Sequence, residues 1–233
     1  MASNLPSHIA VIPDGNRRWA KARGLEPWLG HEHGAYAFKE IVKESFAQGI
    51  KYFTFWASSQ DNIKKRNPLE VAFYFKLVKR AFEDFEKDGY ARDHEIRVDF
   101  LGSWEKMFPE DVKEICLRIK EKTKNYSRHF LTLLLAYDGR AEMLEALERM
   151  NQENPAVKPT PELIKKYLYT TDLPAVDLVI RTGGEPHWSA GFMMWDVADS
   201  QLYFTPTLWP DFNKKELAQA LLAYSATPRR LGA

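Results

Sequence analysis

One stretch near the amino end of the chain decides the predicted fold: His8-Ile9-Ala10-Val11-Ile12-Pro13-Asp14-Gly15-Asn16-Arg17-Arg18-Trp19. Residues 9–12 are a short apolar run of the kind that forms a buried strand. A turn-forming Pro-Asp-Gly-Asn sequence ends this strand and leads into a basic segment that favours a helix. A strand, a tight turn and a basic helix in this order are the layout of an anion-binding site.

The rest of the chain repeats the alternation of strand and helix. Short apolar segments rich in β-branched and aromatic residues predict strands, and the segments between them have helical periodicity. The predicted strands are residues 9–12, 52–57, 96–101, 131–137 and 176–181. Such alternation predicts an α/β fold with a mainly parallel central sheet flanked by helices. A loop is predicted at residues 151–161, and residues 1–233 are expected to form one domain.

The composition excludes several classes of protein. Apolar residues make up 45% of the 233 residues, which is enough for a sizeable core and argues against disorder. The 33 basic and 32 acidic side chains leave a net charge of +1, so no nucleic-acid partner is expected. No apolar run approaches the roughly 20 residues that span a bilayer, so we expect a cytoplasmic protein with at most peripheral membrane contact. The single cysteine, Cys116, fits a reducing compartment and is expected to pack in the core.

The side chains of the first turn suit a phosphate ligand that is held together with a metal ion. Gly15 lets the backbone approach a ligand closely, and Asn16, Arg17 and Arg18 supply donors for phosphate oxygens. Asp14 alone would repel phosphate, and Mg²⁺ between the carboxylate and the phosphate oxygens removes that conflict. An ordinary strand-turn-helix corner with a solvated arginine pair explains this stretch equally well when it is taken alone.

The stretch resembles the first signature of the cis-prenyltransferases, the family of the undecaprenyl diphosphate synthases. Further motifs follow in the order that this family has, over nearly the whole chain. They are Gly30-His31, Ser58-Ser59, Asp61-Asn62, Arg66, Tyr137-Asp138-Gly139-Arg140, residues 177–185 (DLVIRTGGE), Leu202-Tyr203-Phe204-Thr205, Trp209-Pro210-Asp211-Phe212 and Arg229-Arg230-Leu231-Gly232.

The resemblance implies an enzyme, a Z-prenyltransferase. Such an enzyme condenses isopentenyl diphosphate with an allylic prenyl diphosphate to form a Z-configured polyprenyl diphosphate, with Mg²⁺ as cofactor. By the same resemblance, Asp14 is a catalytic residue and the metal ligand, His31 and Asn62 are catalytic, and Asn62 assists proton removal. The implied substrate-binding residues are Gly15, Asn16, Arg17, Arg18, Trp19, Arg66, Arg181, His187 and Ser189.

The resemblance also implies a homodimer. The interface is expected near Leu202, Phe204 and Trp209. The closing residues 229–232 match a segment that, in relatives, reaches across to the site of the partner.

The order of the motifs places the candidate residues at one edge of the predicted sheet. Ligands of open α/β sheets bind beyond the carboxyl ends of the strands. Asp14 follows the first predicted strand, residues 58–62 follow the second and residues 181–184 follow the fifth. Arg181 is expected to offer a bidentate fork to a second diphosphate, on a loop that also carries Ser189. A structural ion pair of Arg181 with Asp177 or Glu185 is the alternative.

The segment Pro68–Lys87 predicts a helix that is apolar over a wide arc. Its apolar residues form two neighbouring stripes, Val71, Phe75, Val78, Phe82 and Phe85 in one and Phe73, Leu77 and Ala81 in the other. Such a helix needs cover on two sides, and core packing is the ordinary explanation. With the resemblance, the helix is expected to form a wall of a hydrophobic tunnel.

The sequence departs from the family pattern at four positions. Pro27 and His187 stand where the family usually has arginine, Gln201 where it has a metal-binding glutamate, and Ile63 where it has an aromatic residue. The alternative function is therefore a non-catalytic relative that binds an active partner or a prenyl diphosphate. Such relatives typically lose the aspartate that this chain keeps. A phosphate-binding hydrolase is a third possibility, but no nucleophile-base pair is evident for it.

Overall fold

A computed structural model describes residues 5–227 of the chain as one six-stranded sheet with helices on both faces. The strands are β1 (His8–Ile12), β2 (Tyr52–Trp56), β3 (Ile96–Leu101), β4 (His129–Leu134), β5 (Leu178–Arg181) and β6 (Gln201–Phe204). Their order is β3-β4-β2-β1-β5-β6, and each neighbouring pair runs parallel. The predicted α/β fold with a parallel central sheet is confirmed.

Ten α-helices lie between and after the strands of the described residues. They are α1 (Asn16–Ala22), α2 (Pro27–Ala47), α3 (Gln60–Lys65), α4 (Pro68–Lys87), α5 (Tyr90–Asp93), α6 (Trp104–Met107), α7 (Glu110–Thr123), α8 (Gly139–Glu153), α9 (Pro161–Tyr167) and α10 (Lys214–Ala226). The bounds of α4 are those that its apolar pattern and its proline predict. Proline is favoured in the first turn of a helix because its missing N–H has no partner there in any case.

The first strand is buried along its whole length because it has a neighbouring strand on each side and a core on each face. Successive side chains of a strand point to opposite faces. Ile9 and Val11 therefore enter one core together with Phe53, and Ala10 enters the other. Burial on both faces is typical of parallel sheets and explains why residues 9–12 show no polar alternation.

Two predicted strands have ends that differ by two or more residues in the structure, and β1 and β2 each differ by one residue at one end. β4 begins at His129 and ends at Leu134, because Ala136 adopts a left-handed conformation (φ 46°) and its N–H bonds to the Ser58 hydroxyl. β5 begins two residues later than predicted, because the N–H of Val176 bonds to the carbonyl of Asp196 instead of a strand. Both changes move the chain out of the sheet.

One strand and part of one helix were missed by the sequence prediction. β6 is four residues long and lies at the sheet edge, where it pairs with β5 alone. The predicted loop at residues 151–161 begins later, since α8 continues to Glu153. Its end is as expected, because the Thr160 hydroxyl accepts a hydrogen bond from the N–H of Leu163 and caps α9.

Cys116 is a core residue on α7, as predicted, and its burial raises the pKa of the thiol to about 12. Among residues 5–227, none of the helices combines the length and the apolar character that crossing a bilayer requires.

Two glycines let helix α2 approach the first turn. A Cβ on Gly30 would lie 2.0 Å from the Asn16 carbonyl oxygen, and one on Gly34 would lie 2.3 Å from the Asn16 amide oxygen. The indole of Trp209 donates to the Gly34 carbonyl (2.9 Å), and its backbone N–H donates to the Asp14 carbonyl (2.9 Å). These contacts fix the turn after β1 against a buried aromatic side chain.

Candidate functional site

The carboxyl ends of β2, β1 and β5 lie side by side, as the motif order predicts. Ile12, the last residue of β1, is in register with Arg181, the last residue of β5. The Thr182 hydroxyl donates to the Asp14 carbonyl (2.8 Å) and accepts from the Asp14 N–H (2.9 Å). The two loops are therefore joined where the site begins.

Asp14 lies between two guanidinium groups at this edge. Its Oδ2 is 3.1 Å from Nη2 of Arg181, and its Oδ1 is 3.2 Å from Nη2 of Arg18. Arg181 is buried, and its Nη1 donates to the Ser189 hydroxyl (2.6 Å) and to the His187 carbonyl (2.8 Å). The arginine thus holds the first turn and the Ser189 loop in one network, and the predicted association of Arg181 with Ser189 is present.

The structural alternative for Arg181 is present in part. Glu185 lies 3.7 Å from Nη2 of Arg181 and 3.6 Å from Nη1 of Arg18, and it is half-exposed. The closer ion pair of Arg181 is with Asp14. The Nε of Arg181 is buried and has no hydrogen-bond partner among the described residues.

A second charged cluster lies across the opening, around Glu70 of α4. This carboxylate is 6% exposed, and its Oε1 is 3.1 Å from Nη1 of Arg66, 3.5 Å from Nε2 of His31 and 3.8 Å from Nε of Arg17. One buried carboxylate thus joins three of the predicted site residues, which come from α1, α2 and the end of α3.

Burial and hydrogen bonding set the charges of this cluster. Burial lowers the pKa of His31, and the neighbouring Glu70 opposes this only in part, so the imidazole is neutral at neutral pH. The hydrogen bond with His31, together with Arg66 and Arg17, lowers the pKa of Glu70 despite its burial. Nη1 of Arg66 is 3.0 Å from Nε2 of His31. The same Nε2 faces Glu70 Oε1, so it accepts from Arg66 when it carries no proton and donates to Glu70 when it does.

Asn62 is held by the first turn of α3. Its backbone N–H donates to the Ser59 hydroxyl (3.0 Å), and its side-chain oxygen accepts from the Ser59 N–H (3.4 Å). This reciprocal capping box satisfies two donors at the helix start. The amide group therefore has a fixed position at the edge of the site.

One cavity of about 740 Å³ connects this charged opening with an apolar interior. Its inner walls come from the sheet, from α4 and from α7. They include Phe55, Leu77, Val78, Ala81, Phe82, Phe85, Val98, Phe100, Ile119, Leu131 and Leu133. The volume lies within the range of about 300–1,000 Å³ that is usual for ligand sites. The prediction that α4 forms a wall of an apolar cavity is confirmed.

Most of the predicted site residues meet at this cavity. Those that line it are Asp14, Asn16, His31, Asn62, Arg66, Arg181, His187 and Ser189. Arg17 and Arg18 are not part of this lining; their side chains are half-exposed and form ion pairs with Glu70 and Asp14. Gly15 precedes α1 with φ of 110°, a conformation that glycine adopts readily.

Trp19 has a different environment from the other predicted substrate ligands. Its side chain is buried, and its indole N–H donates to Asp211 (2.7 Å). Arg23 lies over its ring at 4.1 Å. These contacts fasten α1 to the segment after β6, and a direct role of Trp19 in substrate binding stays a prediction.

Three of the positions that depart from the family pattern lie away from Asp14 in the structure or serve the fold. Pro27 begins α2, and Ile63 of α3 packs against the main core. Gln201 is beside Leu178 in the register of β6 with β5, at the end of the sheet opposite to Arg181. The closing residues 229–232 lie outside the described part of the chain.

Glu70 is the site residue that the sequence prediction missed. It follows Arg66 by four residues near the start of α4. Arg66 precedes α4 in an extended conformation, so the helical i,i+4 rule does not apply to the pair and gave no signal. Nothing in the spacing shows that the carboxylate turns into the protein towards His31.

Comparison with known sequences shows the family of the chain. Residues 12–232 match the family described as putative undecaprenyl diphosphate synthase. The chain is 40% identical to an isoprenyl transferase of Thermus thermophilus, over 98% of this chain and 89% of that protein. It is 39% identical to an isoprenyl transferase of Thermotoga maritima, over 98% of this chain and 97% of that protein. It is 34% identical to the tritrans,polycis-undecaprenyl-diphosphate synthase (geranylgeranyl-diphosphate specific) of Pyrococcus furiosus, over 99% and 88% of the two chains.

A solved structure shares the fold over nearly the full length. Lavandulyl diphosphate synthase from Lavandula x intermedia, solved in complex with dimethylallyl diphosphate, superposes with a TM-score of 0.91 at 29% identity. The match covers 98% of this chain and 99% of that one. From the family match, the identities and the shared fold we conclude that the chain belongs to the undecaprenyl diphosphate synthase family of cis-prenyltransferases.

Proposed function

We propose that the protein condenses isopentenyl diphosphate with an allylic prenyl diphosphate to form a Z-configured polyprenyl diphosphate. The observation that carries this proposal is the continuous cavity that joins the guanidinium groups around Asp14 to an apolar interior. A diphosphate with a hydrocarbon tail needs cationic groups for its phosphate oxygens and an apolar space for its tail. Relatives named for prenyl transfer support this function over the non-catalytic alternative.

The arginines of the two charged clusters are the proposed ligands of the two diphosphates. Without substrate they are paired with carboxylates: Arg17, Arg18, Arg66 and Arg181 with Asp14, Glu70 and Glu185. Diphosphate oxygens form strong bidentate bonds with guanidinium and compete for it with a carboxylate. We therefore infer that substrate binding draws Arg18 and Arg181 away from Asp14.

Mg²⁺ is the proposed cofactor. Within residues 5–227, no three His, Cys, Asp or Glu side chains are grouped to hold a metal ion. Asp14 fits the other common arrangement, in which one carboxylate and substrate phosphates share the ion with water. When bound, the ion would neutralise charge on the departing diphosphate.

The chain's own residues then position the two substrates. Arg181 and Ser189 form a preassembled pair of donors, which we assign to isopentenyl diphosphate. His31 and Arg66, held by Glu70, are assigned to the allylic diphosphate together with the first turn. Fixed donors of this kind stabilise developing negative charge without reorganisation during the reaction.

The reaction makes one carbon–carbon bond. C1 of the allylic substrate bonds to C4 of isopentenyl diphosphate, and the allylic carbon–oxygen bond breaks so that diphosphate leaves with the bonding electrons. A proton leaves the carbon next to the new cation, and the double bond forms in the Z configuration. Asn62, fixed by Ser59, is the residue proposed to assist this proton removal.

A homodimer is proposed through the edge strand β6. Leu202 and Phe204 are 46% and 42% exposed, and they project from a strand with an unpaired edge in the described chain. Trp209 is buried in its own core against Phe55 and Phe212, so its contribution to an interface is indirect. Exposed apolar edge strands are common sites of association.

The direct test of the function is the Asp14→Ala variant. The wild-type protein is incubated with geranyl or farnesyl diphosphate, labelled isopentenyl diphosphate and Mg²⁺, and labelled product is counted. Turnover is expected to fall by about 10²-fold or more, since a preorganised charge at the reacting group is lost. Asp172→Ala, which removes an exposed carboxylate elsewhere, is the control. Near-normal turnover of Asp14→Ala would place the active site elsewhere, and absence of any wild-type product would refute the function.

The Glu70→Gln variant tests the second charged cluster. Removing a buried carboxylate from between two arginines is expected to lower the free energy of unfolding by roughly 1–3 kcal/mol at pH 7. The Michaelis constant of the allylic substrate is expected to rise more than that of isopentenyl diphosphate. The exposed Glu114→Gln on α7 is the matched control.

The same variant has a defined pH dependence. The native pKa of Glu70 is lowered, so its stabilisation is present above the unfolded-state pKa of about 4.3 and disappears as pH falls below it. Urea titrations of both proteins between pH 7 and pH 3.5 measure this. A stability difference that stays constant below pH 4 would contradict the assignment.

His187 provides a prediction about charge in the loop that carries Ser189. Its side chain is half-exposed, with Nε2 3.2 Å from the Ser189 hydroxyl and Nδ1 3.7 Å from Glu185. A permanently charged guanidinium binds phosphate oxygens more strongly than a neutral ring does. His187→Arg is therefore expected to lower the Michaelis constant of isopentenyl diphosphate roughly fivefold, about 1 kcal/mol, and His187→Ala is expected to raise it. Equal Michaelis constants for all three proteins would discard this role.

The dimer is tested by light scattering at micromolar concentration. The wild-type protein is expected to have twice the mass of one chain. Replacing Leu202 and Phe204 together by Asp is expected to give monomers, because charge on an exposed edge opposes association. Leu117→Asp, at an exposed apolar position on α7, is the control. A monomeric wild-type protein would refute the proposal.

A further inference from the structure

Charged side chains from α2 and from α4 and its C-terminal end line one side of the apolar cavity. Two ion pairs cross the slot between α2 and α4: Glu32 Oε1 lies 3.9 Å from Nη1 of Arg80, and Lys39 Nζ lies 2.9 Å from Oδ2 of Asp88. All four residues line the cavity that begins at Asp14. We refer to these two ion pairs as the seam.

Stability does not explain the seam. The side chains of Arg80 and Lys39 are 70% and 49% exposed, and exposed ion pairs contribute little to folding. These pairs differ from other surface ion pairs in their location. Each connects α2 with α4 or its C-terminal end beside a cavity lined by apolar residues such as Phe82 and Phe85. Because Arg80 and Lys39 line the cavity and are also exposed, the seam lies between the apolar interior and solvent.

We propose that the seam determines product length by keeping the slot between α2 and α4 closed beside the growing hydrocarbon. The inference rests on the proposed prenyl transfer. Every cycle adds five carbons and releases one diphosphate and one proton, so the chain must either fit in the cavity or pass through a gap in its wall. While the seam is closed, elongation ends when the cavity is full.

Two physical costs oppose passage of the chain through the closed slot. The emerging hydrocarbon would be exposed to water, which is unfavourable in proportion to its apolar area. The chain would also separate each cation from its carboxylate and remove water from both, leaving charges beside hydrocarbon. Charge repulsion opens the slot in advance, so the chain no longer has to separate an ion pair and the charged groups can stay in water.

Charge reversal at Lys39 and Asp88 tests the proposal. Lys39→Glu and Asp88→Lys each place like charges across the slot, and the double variant restores an ion pair with opposite polarity. Products from farnesyl diphosphate and labelled isopentenyl diphosphate are dephosphorylated and separated by length at equal conversion. Each single variant is expected to shift the main product to greater length by at least one five-carbon unit, and the double variant is expected to return to the wild-type length.

The helix α4 offers a matched control. Lys79 forms an ion pair with Asp111 of α7 at 2.8 Å, and neither residue lines the cavity. Lys79→Glu breaks a contact of the same kind on the same helix and is expected to leave the product length unchanged. A shift in this variant as large as in Lys39→Glu would overturn the proposal, because it would show a general effect of loosening α4.

A second test introduces no new charge. The double variant Glu32→Gln/Lys39→Gln removes one member of each ion pair, and its products are expected to be longer by at least one five-carbon unit.

Salt provides a third test on the wild-type protein. At 1 M salt the electrostatic screening length is about 3 Å, and the products are expected to become longer. Unchanged or shorter products in the single reversals and in the Glu32→Gln/Lys39→Gln variant would overturn the role of the seam. Such a result would leave prenyl transfer intact, whereas absence of product in the wild type would refute the proposed function itself.

Discussion

The ion pair between Asp14 and Arg181 is the contact on which the site depends, and the parallel pairing of β1 with β5 creates it. Because Ile12 stands beside Arg181 in the register, the first residues beyond β1 meet the guanidinium group at 3.1 Å. Arg181 is buried, and a buried charge is unfavourable unless it is paired and hydrogen-bonded. Asp14, Ser189 and the His187 carbonyl supply these partners. The ion pair between Asp14 and Arg181 therefore serves both the fold, by pairing a buried charge, and the site, by placing Asp14.

The opening of the cavity is built from two separate carboxylate–arginine clusters. One is fixed by the strand ends and contains Asp14 and Arg181. The other is fixed by helices and is centred on Glu70, which holds Arg66 and His31. The two clusters meet at α1, because Arg17 pairs with Glu70 and the next residue, Arg18, pairs with Asp14. Burial keeps His31 neutral, whereas the hydrogen bond with His31 and the charges of Arg66 and Arg17 keep Glu70 ionised despite its burial.

The sequence predicted most of the fold because local patterns were unambiguous where burial is complete. β1 is buried on both faces, and α4 begins at a proline, so both appear clearly in the sequence. β6 escaped prediction because it is short and half-exposed. Of the site, the family resemblance predicted eight residues that the structure brings together at one cavity: Asp14, Asn16, His31, Asn62, Arg66, Arg181, His187 and Ser189. It did not give Glu70, since the direction of a side chain depends on the packing of two helices that lie far apart in sequence.

The apolar arc of α4 shows why a sequence alone cannot separate a core helix from a cavity wall. Val78 is its only apolar residue that is fully buried in the described chain, although its apolar residues form two stripes. A helix packed on a filled core would bury more of that surface. Leu77, Ala81, Phe82 and Phe85 instead line a cavity of about 740 Å³, and none of these four side chains is fully buried. The hydrophobic effect that folds an ordinary helix is thus left partly unsatisfied in α4, and this supplies an attraction for the prenyl chain.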